Sequence, residues 1–278
     1  TLIFRSLNGC NTESQINWGS ITSSYFLIFN SISPALKADL PFKKNKFLST
    51  NILILLIINM LRKSIMLKKK IINFFKIFKD YVIGAYIKSK NREDKFRLIY
   101  KFSYWKSGYS ESFSGAGSEL NATRNIRKSL EKFIYNENIK SILDIPCGDF
   151  NWMSKLNLKK INYTGADIVP DIINTNKKSN NLENINFLKL DLIQDNLNEH
   201  DLIFNRDCLV HFNDTDIFSA LENIKKSKCK FFASTIFLEN FNNLKINLPD
   251  NWRPINLCER PFNLPKPYSL LDDEYEGK

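Results

Sequence analysis

The chain has 278 residues, 43% hydrophobic and 25% charged, long enough to bury a substantial core. That balance excludes a disordered chain, a collagen-like chain and a polytopic membrane protein. Five dispersed cysteines (Cys10, Cys147, Cys208, Cys229, Cys258) with no CxxC pair, and only His200 and His211 beside them, argue against a zinc site and a disulfide framework, and for a reducing, cytoplasmic setting.

The net charge of +11 is uneven: residues 1–100 hold 17 Lys and Arg against 5 Asp and Glu, whereas residues 101–278 hold 23 against 24. The basic character therefore belongs to the N-terminal third. Residues 1–65 read as a separate region of doubtful nativeness: the chain opens on Thr1, and Met60 and Met66 are candidate starts. Its apolar run Phe47–Leu61, 15 residues with basic flanks, falls short of the ~20 needed to span a bilayer. Residues 66–95 read as a basic amphipathic helix, with Ile71, Phe75, Phe78, Val82 and Ala85 on one face and Lys69, Asn73, Lys76 and Asp80 on another. The stretch 47–87 offers peripheral contact with an anionic membrane, and docking on the following domain is the competing reading.

Residues 96–278 read as one α/β domain. Strands are expected at Ser141–Ile145, Tyr163–Val169, Ile185–Asp191, Asp201–Arg206 and Lys230–Ile236, whose apolar runs suit strands covered on both faces. Helices are expected at Asn121–Phe133, Asn151–Leu156, Pro170–Lys178 and Thr215–Lys226, the last capped by Asn213 or Asp214. This alternation predicts a doubly wound, mostly parallel sheet, with ligands beyond the carboxyl ends of its strands.

Those ends carry the chemistry. The first reads Asp144-Ile145-Pro146-Cys147-Gly148-Asp149, where Gly148 permits close backbone approach to a ligand. Asp167, 23 residues after Asp144, ends the second strand near the spacing at which an acid accepts hydrogen bonds from ribose hydroxyls. Asp191 ends the third and Asn205-Arg206-Asp207 the fourth. Cys147 and Cys208 read as small buried residues. Ser114–Ser118 reads as a lid or as an ordinary cap and turn, and Tyr104, Trp105 and Tyr109 as pocket lining or core.

The runs LDIPCGDFNWM, TGADIV, FLKLDL and DLIFNRDCLVHF, in this order, resemble the motifs of the class I, Rossmann-like S-adenosylmethionine (SAM)-dependent methyltransferases, over roughly residues 96–278. The subgroup resembled carries PCGDxNWM, then RDCLVH, then WRPINL and PFNLP. The resemblance implies SAM as cofactor. It implies Asp144, Cys147 and Gly148 at the methionine end, Asp167 with Ile168 at the ribose, Asp191 and Leu192 at the adenine, and Asn205 and Arg206 under the acceptor pocket. A single glycine in the first motif departs from the glycine-rich pattern and speaks against a dinucleotide, whose pyrophosphate needs G-x-G-x-x-G.

For transfer to a hydroxyl a general base helps, and His211, four residues after Asp207, is the only histidine near a strand end. Asp207 orients it or meets the acceptor; bracing a turn, for Asp207, and packing, for His211, are the competing roles. The expected activity is methyl transfer, mainly to oxygen, of a small-molecule or glycan-type acceptor, without a metal. The near-neutral domain speaks against long nucleic acid. A nucleic-acid methyltransferase using the basic N-terminal third is the second reading, and a catalytically silent SAM-binding or membrane-associated module the third. Relatives of this architecture close the sheet with an antiparallel hairpin. No apolar run follows Leu271, so the sheet is expected to lack its last strand and expose an edge.

Overall fold

Short runs of β-branched and aromatic residues, buried on both faces, build the centre of the molecule. The computed structural model describes residues 1–5, 82–106, 109–238 and 252–273. The apolar run 47–61 and residues 66–81 of the amphipathic helix expected over 66–95 lie outside them; within the described part, 82–88 is helical and the chain breaks at 89–91 before a new helix starts at Arg92. The chain divides into two units, residues 1–14 with 83–278, and residues 15–82. All that follows concerns the first.

Its elements in chain order are β1 (Leu2–Arg5), α1 (Arg92–Lys101), α2 (Arg124–Asn136), β2 (Ser141–Asp144), β3 (Asn162–Asp167), α3 (Pro170–Ser179), β4 (Ile185–Lys189), β5 (Leu202–Asn205), α4 (Asp214–Lys226), β6 (Phe231–Ser234) and β7 (Ser269–Leu270). The sheet runs β4-β3-β2-β5-β6-β1-β7. Strands β2 to β6 pair in parallel, and β1 pairs antiparallel with β6 and β7. This is the mostly parallel Rossmann-like sheet expected. Chain order reverses between β2 and β5, so their carboxyl ends form the switch point at which such sheets bind ligands.

Successive strand residues face opposite cores. Leu143, Ile203 and Phe232 meet Ile217, Ala220, Leu221 and Ile224 of α4 on one side. Ile142, Leu202, Phe204 and Phe231 meet Ile126, Leu130 and Phe133 of α2 on the other. Each such Leu, Ile or Phe side chain, fully buried, contributes about 1.5–3 kcal/mol. Asn213 caps α4, accepting from the Asp216 amide at 2.9 Å, and Asp214 and Asp216 complement the dipole of its first turn.

Two expectations are corrected. Residues 151–156 form only a 3-10 turn, Met153–Lys155. Trp152, Met153, Leu156, Leu158 and Ile161 are all buried, at spacings that no single helical stripe serves, so an irregular crossover buries them instead. The edge expected to lie open is filled. β1 lies along β6 with Ile3 opposite Ala233 and Phe4 opposite Phe232. Its side chains alternate between the two cores, Phe4 into one and Ile3 into the other. Four residues paired along its length suffice to satisfy the outer amides of β6.

Candidate active site

A cavity of about 290 Å³ opens at the carboxyl ends of β2, β3, β4 and β5. Its floor follows from strand geometry, since neighbouring parallel strands end side by side. Asp144 and Asp167 are the last residues of β2 and β3, and both are buried. The Tyr163 hydroxyl donates to Asp144 Oδ2 at 2.5 Å. Burial raises the Asp144 carboxyl to about 7, against the lowering effect of that hydrogen bond. Asp167 accepts the Val169 amide at 2.9 Å and the Gly148 amide at 3.3 Å, and burial still raises it to about 6. Among the described residues neither carboxylate forms a salt bridge.

Gly148 has φ +54°, and a Cβ there would stand 2.3 Å from Ser114 Oγ. Only glycine lets the loop after β2 pass so close beneath residues 110–118. Cys147 lies in the same loop, and burial pushes its thiol well above the ordinary range, which disfavours the thiolate. Burial likewise raises Cys208 to about 12. Ile168, Asp191 and Leu192 line the cavity beyond β3 and β4. Asp191 Oδ1 accepts the Ile193 amide at 2.9 Å, and Asp191 Oδ2 receives Arg92 of α1 at 2.7 Å.

A strap, residues 110–118, crosses above this floor. Ser112 Oγ (2.9 Å), the Phe113 amide (2.7 Å) and Ser114 Oγ (3.2 Å) all donate to the Asp149 carboxylate. The Tyr100 hydroxyl lies 3.1 Å from Ser114 Oγ. At the other end Arg206 Nη1 donates to the Gly117 carbonyl at 3.0 Å. Aromatic rings wall the remaining side: His211 lies 5.2 Å from Trp105 and 5.9 Å from Phe96, with Phe237 and Trp252 facing the same space.

Of the residues read from the sequence, Asp144, Cys147, Gly148, Asp167 and Ile168 therefore share one cavity with Asp191, Leu192, Arg206, Asp207 and His211. Asn205 is not among its lining residues: it is fully buried, and its amide donates to the Ile145 carbonyl at 2.5 Å. Asp207 has φ +53° and a side chain 41% exposed, 3.2 Å from Arg206, while its amide donates to Thr235 Oγ1 at 3.0 Å. Trp105 lines the cavity, whereas Tyr104 does not and Tyr109 is fully exposed.

Sequence reasoning missed Arg92, Tyr100 and Asp273. Phe96 and Tyr100, four apart on α1, carried a detectable signal, one helix face turned to the cavity. Asp273 carried none. Among the described residues no group of His, Cys, Asp or Glu can hold a metal ion, and no helix is long and apolar enough to cross a membrane.

No protein-family model matches the chain, and no curated protein matches it by sequence. Solved structures similar to it include magnesium protoporphyrin IX methyltransferase from Synechocystis with bound S-adenosylhomocysteine (SAH), at 13% identity over 48% of this chain and 64% of that one, TM-score 0.38. The N-methyltransferase NodS from Bradyrhizobium japonicum in complex with SAH is similar at 19% identity over 40% of this chain and 58% of that one, TM-score 0.35. The matched part spans less than two thirds of either structure.

Proposed function

We propose that the chain is a SAM-dependent methyltransferase acting on a hydroxyl of an uncharged small-molecule or glycan-type acceptor. The observation that carries this reading is the pair of buried carboxylates, Asp144 and Asp167, side by side on one cavity floor and, among the described residues, in no salt bridge. SAM fits such a floor because it carries a sulfonium, an ammonium and a ribose diol. Asp167 keeps part of its acceptor capacity for the diol, since a carboxylate has about four acceptor sites. Asp144 favours positive charge at the methionine end, and Gly148 lets that end approach the backbone. Ile168 and Leu192 offer apolar contact to the adenine, and Asp191, fixed by Arg92, offers an acceptor beside it.

When bound, the cofactor supplies an electrophilic methyl group on sulfur; the chain supplies alignment and a proton acceptor. His211 would take the proton of the acceptor hydroxyl, and Asp207 at the mouth would accept a hydrogen bond from the acceptor. The lining favours oxygen over nitrogen. Its described residues include five aspartates and two arginines, and both arginines are committed to ion pairs. An amine in that field is held as its ammonium, with no lone pair to offer, and a phosphate is repelled. An uncharged hydroxyl carries neither penalty, and the aromatic wall offers it a flat face to stack on. The catalytic unit in this reading includes β1 along with residues 83–273.

Calorimetric titration of SAH into the full chain, with NAD in parallel, tests the proposal. Saturable binding of SAH alone supports it, and binding of NAD, or of neither by a folded chain, overturns it.

A further inference from the structure

The sequence motif places Arg206 at the cofactor, yet its guanidinium is almost wholly used elsewhere. Nε and Nη2 form a two-pronged fork on Asp273, at 3.1 and 3.0 Å to Oδ1 and 3.0 Å to Oδ2. Nη1 meets the Gly117 carbonyl at 3.0 Å and Asp207 Oδ2 at 3.2 Å. The ring of Trp152 lies 5.7 Å beneath the group. Arg206 and Asp273 are 10% and 11% exposed, so the fork is shielded from water and salt. Asp273 is itself held, accepting from Thr1 Oγ1 at 2.9 Å beside β1.

We propose that the Arg206–Asp273 fork is the latch of the strap, making Arg206 and Asp273 positioning residues that hold residues 110–118 closed over the cavity and set the carboxylate of Asp207. The strap is anchored at two points of different kind. Asp149, in the loop after β2, takes three donors from residues 112–114. The far end, residues 115–118, is held from outside by two side-chain bonds, Arg206 Nη1 to the Gly117 carbonyl at 3.0 Å and Asn151 Nδ2 to the Ser118 carbonyl at 3.1 Å, and of the two only Arg206 is itself set by a distant segment. Gly115 and Gly117 leave little side chain there to pack it down. A guanidinium has five N–H donors in a rigid fork. With Nε and Nη2 engaged by Asp273, Nη1 is aimed at Gly117 and Asp207 together. Without Asp273 the guanidinium is free to rotate onto Asp207, the carboxylate it already pairs with, and the strap loses one of the two side-chain anchors of its far end, keeping only Asn151. Closure then depends on a residue 67 positions from Arg206, in a segment braced by β1.

The test uses the full chain and Asp273→Asn, which keeps shape and removes the charge, with Arg206→Lys as the second variant, which keeps charge and removes the fork. Hydrogen exchange is the first readout: amide exchange across residues 112–119 is expected to rise about tenfold in both variants, with β2, β5 and β6 unchanged relative to the wild type. The second readout, which rests on the proposed cofactor, is SAH release followed by tryptophan fluorescence, expected to be about tenfold faster with association little altered. Strap exchange that stays at the wild-type level overturns the latch, as does a rise spread evenly over the core strands, which marks a global stability effect. Failure of the wild-type chain to bind SAH overturns the cofactor reading alone, and the exchange readout then decides the latch.

Discussion

The floor and the roof of the cavity are built on different principles. The floor consists of strand ends: Asp144 and Asp167 are fixed by ladders whose residues are buried on both faces, and Phe204, in the strand beside Asp144, is wholly buried. The roof is an irregular strap held by side-chain hydrogen bonds to Asp149 and Arg206. Displacing a floor carboxylate requires unfolding the sheet, whereas displacing the strap requires breaking a few exchangeable bonds. A site built this way holds its carboxylates rigidly and still has a way in.

The sharpest break of that comparison is Phe204→Ala against Trp105→Ala. The first creates a core cavity, removes contact with Trp152, and is expected to cost about 3–5 kcal/mol in denaturant unfolding. The second trims the partly exposed wall and is expected to leave the unfolding midpoint near wild type. Equal losses would mean that wall and floor form one core.

Next in size is Asp167→Ala, expected to weaken SAH binding by about 1–3 kcal/mol in calorimetry through loss of the ribose acceptor. Unchanged affinity would remove Asp167 from the binding floor.

Acidity distinguishes the floor from the roof without mutation. Unfolded aspartates titrate near 3.8, whereas burial places Asp144 and Asp167 at about 7 and about 6 in the folded chain. The folded state therefore binds more protons than the unfolded state between pH ~4 and ~7, and the contribution of these groups to stability falls as pH rises through that window. The proposed cofactor, being cationic there, needs the carboxylates ionised, so its affinity is expected to rise over the pH range in which stability falls. Asp144 faces Tyr163, Asp167 and Arg206, and Asp144→Asn is expected to flatten the upper part of both curves. Parallel rather than opposed trends, from melting and binding scans, would refute this.

A smaller structural effect with a larger kinetic one is expected for His211→Ala. SAH affinity should stay within about 0.5 kcal/mol of wild type, while methyl transfer to a competent acceptor slows about 100-fold or more. Equal turnover would make His211 a packing residue of the Trp105–Phe96 cluster. Gly148→Ala closes the series: its Cβ collides with Ser114 Oγ, so the strap should exchange faster even though the substitution lies in the floor.

Much of the floor was legible because parallel strands turn sequence order into spatial adjacency. Each expected strand formed to within two residues at either end, and the acids at their carboxyl ends became neighbours without further information. The stripe Ile126, Leu130, Phe133 and the cap Asn213 were readable because helix period and capping are local. Asn205 was misplaced for a local reason of another kind. Strand side chains alternate between the two faces of the sheet, and the motif does not say that the Asn205 amide is spent on the Ile145 carbonyl of the neighbouring strand's loop.

The sequence by itself determined the alternating pattern, hence the parallel sheet, the switch point and the acidic rim along it. Only the tertiary structure decided that β1 fills the slot beside β6, that Asp149 and Arg206 hold opposite ends of the strap, and that Asp273 carries the fork. These depend on pairings between segments far apart in the chain, such as Leu2 with Ser234 and Arg206 with Asp273. No period, cap or turn residue announces such partners. Only the packed core brings them within hydrogen-bond distance.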